Sequence, residues 1–267
     1  NVAHHDLQVM PSGDIYVITS TVEMIPRINA KQPVRDDQVT ILDAEGNIKG
    51  SVSLLEAFER SETYRGLWEA RTARAGELFH TNTLHVLDGS IEDDIPPFKK
   101  GNVLVSSLIT DIIAVIDLER REVVWAWGEG FHAQHDPQIL PNGNLLLFDN
   151  HDDSERSSVE EYDPRTMELV WSYRGSESEP FYSRTCGTAQ RLPGGNTLVT
   201  ESDNGRAFEI TPRGEIVWEF YNPARAGDRN EFIATISEMI RVPLDLPVHW
   251  ASGACSRLRG VPTESRQ

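Results

Sequence analysis

One plan of short strands recurs along this chain, and its period leaves few architectures open. A tryptophan near the end of the plan falls at Trp125, Trp171 and Trp218, spaced 46 and 47 residues apart. The glycine of its first turn falls at Gly13, Gly101, Gly143 and Gly195. Within each unit, runs of apolar and β-branched residues are separated by Asn-Gly, Gly-Gly or Asp-Pro-Arg turns, which reads as three or four short antiparallel strands. Repeats of this length describe the blades of a β-propeller, where radial stacking protects the sheet edges. A β-sandwich would not repeat at this period. The fold expected is therefore all-β, a β-propeller of four-stranded antiparallel blades. Four full units and a partial one around 230–242 are visible, and the domain is expected to span 1–245. Asn1 falls in an innermost strand, which leads us to expect further blades ahead of it. Charged and apolar residues at helical spacing mark an insert at about 54–78. The tail 246–267 carries no strand pattern and is expected to be disordered.

Charge narrows the partners. Lysine and arginine number 25 against 42 aspartate and glutamate, a formal charge of −17. That balance argues against nucleic-acid binding, which needs a basic footprint. An anionic ligand would need a local cation to overcome the general repulsion. No run of about 18 apolar residues predicts a membrane span, and no basic-then-apolar leader opens the sequence. Cys186 and Cys255 are too few for a disulfide framework and stand as two thiols or one bridge.

The histidines follow the repeat. His5-Asp6 begins eight residues before Gly13, and His135-Asp136 begins eight before Gly143. His80 opens the second unit, with Asn82 two positions on. The start of an innermost strand faces the channel of a propeller, so His5, His80 and His135 are expected to converge on one small volume. Asp6 and Asp136 are candidates to orient imidazoles through Nδ1–H, or else to cap the strand starts. Asn150 ends the inner strand of the third unit near the same mouth, and Arg156, six residues on, is the nearest cation in sequence. His4, His132 and His151 flank these positions, His85 reads as a core or strand-face residue, and His249 is given no role. The repeated tryptophans read as blade core. No G-x-S-x-G elbow, H-E-x-x-H pair, Walker loop or Rossmann glycine pattern occurs. From residues alone two chemistries stand open. One is a non-catalytic propeller binding an anionic or aromatic ligand. The other is a metal-dependent hydrolase using His5, His80, His135 and Asp136.

The strings HHDL, PSGDIYV, FHTNTL, QHDPQILPNGNLLLFDN, QRLPGGNTLVTES and GRAFEITPRGEIVWEFYNP resemble the arylsulfotransferase family of bacterial β-propellers, over about His4 to Pro243. The resemblance implies a six-bladed propeller acting outside the cytoplasm. It implies transfer of a sulfuryl group from an aryl sulfate to a phenol, through a sulfated histidine, without an adenylyl-sulfate cofactor or a metal. It places His80 and His135 on assisting histidines, His5 on a channel position, and Arg156 on the arginine that follows the F-D-N string. Asn82, Asp136 and Asn150 become candidate substrate contacts. The family's sulfated histidine lies in the last blade, where Glu231 or Phe232 stands here, and the fourth unit offers Thr185-Cys186-Gly187 at its channel start. Partners implied are the small ester and the phenol, with a homodimer as the expected assembly.

Overall fold

A computed structural model describes residues 2–72, 74–150 and 156–243. Four antiparallel sheets follow one another as propeller blades, each a simple meander from inner to outer strand. The first blade is β1 (Val2–Val9), β2 (Ile15–Glu23), β3 (Val34–Leu42) and β4 (Ile48–Ser53). Two short helices follow, α1 (Leu54–Arg60) and α2 (Arg65–Arg71), and the two-residue strand β5 (Gly76–Glu77) then pairs in parallel with β3. The second blade is β6 (Thr81–Val86), β7 (Val103–Ser107), β8 (Ile112–Asp117) and β9 (Glu122–Trp127). The third is β10 (His135–Ile139), β11 (Leu145–Asp149), β12 (Ser158–Asp163) and β13 (Glu168–Tyr173). The fourth is β14 (Thr188–Arg191), β15 (Thr197–Glu201), β16 (Arg206–Ile210) and β17 (Ile216–Tyr221). A short pair, β18 (Arg225–Ala226) and β19 (Phe232–Ile233), comes after them. Residues 244–267, which contain the tail, His249 and Cys255, lie outside the described residues, as does His151.

The insert is helical for a local reason. Ser53 caps α1 by accepting from the Glu56 amide, and buried Asp36 of β3 accepts from the Leu55 amide. Leu54, Leu55 and Phe58 then face inward with Trp68 of α2, so the helices extend the first core instead of standing apart from it.

Apolar burial lies between blades. Ile18 and Val39 of the first blade pack with Phe79, Val105 and Ile116 of the second. Leu104, Val115 and Trp125 of the second meet Leu145, Leu147 and Tyr162 of the third. Leu146, Phe148 and Tyr173 of the third meet Val199 and Phe208 of the fourth. Each sheet thus buries both faces only where it has a neighbour on each side, as radial stacking requires.

The inner strands are joined by side chains. Asp6 Oδ2 accepts from the Leu84 amide at 2.8 Å and Gln8 Oε1 from the Val86 amide at 2.7 Å, tying β1 to β6. Thr83 Oγ1 accepts from the Asp136 amide at 2.9 Å, tying β6 to β10. Asp136 Oδ2 accepts from the Ala189 amide at 3.0 Å while Gln138 Nε2 donates to the Ala189 carbonyl at 2.7 Å, tying β10 to β14. Gln190 continues the belt to Arg241, accepting from its amide at 2.7 Å. Asp6 and Asp136 therefore hold the neighbouring blade's backbone and do not orient imidazoles. Inner strands of adjacent blades share no ladder, so their buried amides need side-chain acceptors.

Candidate functional site

The inner strands start with a bend. His5, His80, Asp136 and Cys186 all adopt left-handed backbone, with φ of 56°, 53°, 53° and 54°. Such φ is uncommon outside glycine, though histidine and aspartate tolerate it better than most residues. The register shifts between Ala3 and Leu7 in β1 and between His135 and Gln138 in β10. These bulges turn side chains toward the channel mouth.

Two imidazoles are in direct contact there. The His5 and His80 rings lie 4.7 Å apart, edge to face, and His4 joins them with its Nδ1 2.7 Å from His5 Nδ1. His5 and His135 line one cavity of about 210 Å³, together with Asn82, Cys186, Ser237 and Glu238. A second cavity of about 450 Å³ holds His4, His5 and His80 on its wall. His5 is thus common to both, and the three repeat-placed histidines surround one small region.

Each imidazole is held differently. His135 Nδ1 donates to Asn150 Oδ1 at 2.7 Å and lies 2.9 Å from the Ala133 carbonyl, which leaves Nε2 as the ring's acceptor nitrogen. The segment ahead of it is pinned by buried Gln134, whose Nε2 reaches Ser106 Oγ and the Ser107 carbonyl of the second blade. His80 Nδ1 meets Glu77 Oε2 at 3.0 Å. Burial pushes His135 below the ordinary imidazole value, against the pull of Asn150 and Ala133. His5 is lowered by burial first and then by the positive charge that His80, His4 and His135 would carry. Both rings are therefore neutral at pH 7 and able to accept a proton or attack an electrophile.

The remaining sequence candidates divide. Asn82 is buried on the cavity wall and donates from Nδ2 to the Gln134 carbonyl at 2.8 Å. Asn150 Oδ1 accepts from His135 and its Nδ2 donates to the Ser183 and Cys186 carbonyls. Asp136 lines the same cavity, and burial pushes its carboxyl up to about 8. Arg156 is exposed, two residues ahead of β12, and lines neither histidine cavity. His132 points outward, its side chain 68% exposed and 3.3 Å from Asp111. His85 faces the channel, on a compartment of about 300 Å³ that also holds Asp6, Asp136 and Glu238.

The last channel position also differs from expectation. Ser237 and Glu238, and neither Glu231 nor Phe232, line the cavity with His5 and His135. Phe232 is 63% exposed. Hydrogen bonds from the amides of Ile236 to the Ser202 carbonyl, Met239 to Thr200 Oγ1 and Arg241 to Gln190 Oε1 lay 236–241 beside the fourth blade's inner strands. Sequence reasoning also passed over Glu77 and Gln134. Glu77, three residues before His80, carried the one usable signal. Among the described residues no group of three His, Cys, Asp or Glu side chains is spaced to hold a metal ion.

The family model described as arylsulfotransferase (ASST) matches residues 1–223. The chain belongs to the arylsulfotransferase family. No curated protein matches its sequence. Among solved structures it is similar to the Dos1 propeller, at 12% identity and a TM-score of 0.48, over 83% of this chain and 48% of that one. It is similar to virginiamycin B lyase from Staphylococcus aureus, at 14% identity and a TM-score of 0.40, over 84% of this chain and 71% of that one. A protein of unknown function from Bacteroides caccae matches at 14% identity and a TM-score of 0.44, over 69% of this chain and 54% of that one. The chain spans about half the length of two of these structures, 54% and 48%. No helix among its described residues is long and apolar enough to cross a membrane.

Proposed function

We propose that this propeller moves a sulfuryl group from an aryl sulfate to a phenolic acceptor, outside the cytoplasm, at the His5–His80–His135 cluster. The observation that carries the reading is the contact of His5 with His80 at 4.7 Å and the sharing of one cavity by His5 and His135. In this scheme His135 Nε2 attacks sulfur, the S–O bond to the aryl group breaks, and the leaving oxygen takes a proton from the His80 imidazolium. The acceptor phenol then returns a proton to His80 and attacks sulfur, and the N–S bond breaks. No net proton is consumed. Glu77 keeps the Nδ1 proton of His80 in place, so the moving proton sits on Nε2. Sulfuryl transfer resembles phosphoryl transfer in its loose transition state, so positioning and charge carry most of the catalysis. Arg156 is the family-matched cation for the sulfuryl oxygens.

A binding propeller without turnover is the second reading. Ser237, in place of a histidine, favours it. One experiment separates the two. After incubation with an aryl sulfate, mass spectrometry is expected to show about 80 Da added to His135, and His80→Ala or His135→Ala is expected to lower turnover at least roughly 10²-fold. Parent protein that binds the ester without turnover would establish the binding reading. Variants that turn over like the parent would remove the reaction from this cluster.

A further inference from the structure

The larger histidine cavity holds something that the transfer scheme leaves unused. Its wall includes Val2, His5, Val22, Arg35, Glu77 and His80, around about 450 Å³, inside the range of small-ligand sites. Val2 and Val22 are 69% and 63% exposed, so apolar surface faces solvent beside the imidazoles. Among the described residues lining the two histidine cavities, Arg35 is the single lysine or arginine. Its Nη1 meets Glu77 Oε1 at 3.2 Å, and its side chain is 48% exposed. Glu77 divides its oxygens, one to Arg35 and the other to His80. One edge of the guanidinium thus stays available for a fork of two hydrogen bonds to a carboxylate. The chain's charge of −17 makes any anion-binding place depend on such a local cation. The channel compartment on the other side carries Asp6, Asp136 and Glu238 on its wall and no lysine or arginine.

We infer that this cavity is a second ligand subsite, taking an aromatic ring that bears a carboxylate, with Arg35 as the residue that selects for the charge. The ring lies against Val2 and Val22, the carboxylate meets Arg35, and a phenolic hydroxyl on the ring reaches the His5–His80 pair. The inference deepens the transfer reading by naming its acceptor as a hydroxyaryl carboxylate, and rests on that reading for the acceptor role alone. Binding stands apart from it.

The test uses the full chain with 4-hydroxybenzoate and, as the uncharged probe, phenol. Calorimetry is expected to show 4-hydroxybenzoate binding the parent more tightly than phenol, and Arg35→Ala is expected to weaken the carboxylate at least roughly 10-fold, the scale of a hydrogen bond to a charged group. Arg35→Lys should recover part of the loss, since a point charge replaces a fork. Val2→Trp, which fills the cavity from an exposed position on β1 opposite Ser20 and away from the Arg35 register, should abolish binding of both probes. It keeps the question open to refutation if the arginine variants fail to fold. Equal affinity for the two probes in the parent, or undiminished 4-hydroxybenzoate binding in Arg35→Ala or Val2→Trp, overturns the inference. Arg35-dependent binding without sulfuryl transfer keeps the subsite and removes the transfer reading. Transfer to phenol with no preference for the carboxylate does the reverse.

Discussion

Asp136 shows how one residue type serves a different end from the one its neighbour suggests. It follows His135 directly, yet its carboxylate points to the Ala189 amide of the next blade and not to an imidazole. Burial, the largest cause, pushes it up to about 8, and the Ala189 contact opposes that only in part. An unfolded aspartate titrates near 3.9, roughly. A folded-state value above the unfolded one means the proton is held more tightly by the native protein. The stability it contributes is whole below about pH 3.9 and is lost as pH climbs through about 8. Asp36, raised to about 7 by burial, adds a loss of the same sign. Asp136→Asn keeps an acceptor for the Ala189 amide and cannot ionise. Its stability relative to the parent should therefore be nearly level at about pH 4 and should rise steadily toward about pH 8.5. Urea midpoints across that range decide it, and a difference that does not grow with pH would mean that the carboxyl is already ionised in the native protein.

At the scale of elements, the strands and turns were legible because their chemistry is local. Alternating runs, Pro-Asn-Gly turns and the repeated glycine mark β10 and β11 as clearly as β14 and β15. The belt between inner strands was not legible, since Asp6 and Leu84 are 78 residues apart and nothing local signals their bond. The same holds for Ser237, which only the Ile236, Met239 and Arg241 amide bonds bring to the channel. The placing of three histidines around one region was legible through the repeat, but what holds each ring came from neighbouring blades or from Asn150 and Glu77. The belt has a measurable weight. Leu84 is buried, so Asp6→Ala leaves its amide without the Asp6 acceptor. The expected cost is about 1–3 kcal/mol, with faster hydrogen exchange at Leu84, and Asp6→Asn should recover most of it. Unchanged exchange at Leu84 in Asp6→Ala would show that water or another group satisfies the amide equally well.

Across the whole molecule, one repeat position samples three environments, because stability in a stacked array comes from neighbours as much as from the unit itself. Trp125 is buried to 6% in the core between the second and third blades, in edge-to-face contact with Phe98 at 5.1 Å. Trp171 is half-buried against the fourth blade, where Nε1 donates to the Pro212 carbonyl at 2.9 Å and the Arg191 guanidinium sits 4.8 Å over the ring. Trp218 is 40% exposed, with Val217 and Tyr221 beside it at 55% and 48%. The three side chains are chemically identical, so differences in cost on removal report the packing that each blade receives. Trp125→Ala should cost about 3–5 kcal/mol, as a large core truncation does. Trp171→Ala should cost roughly 1–3 kcal/mol, from one hydrogen bond, one cation–π contact and partial burial. Trp218→Ala should cost less than about 1 kcal/mol, as exposed positions do. Circular dichroism in urea, which does not depend on the tryptophan removed, gives the midpoints at a shared slope. A loss at Trp218 equal to that at Trp125 would mean that the outer face of the fourth blade is covered in solution.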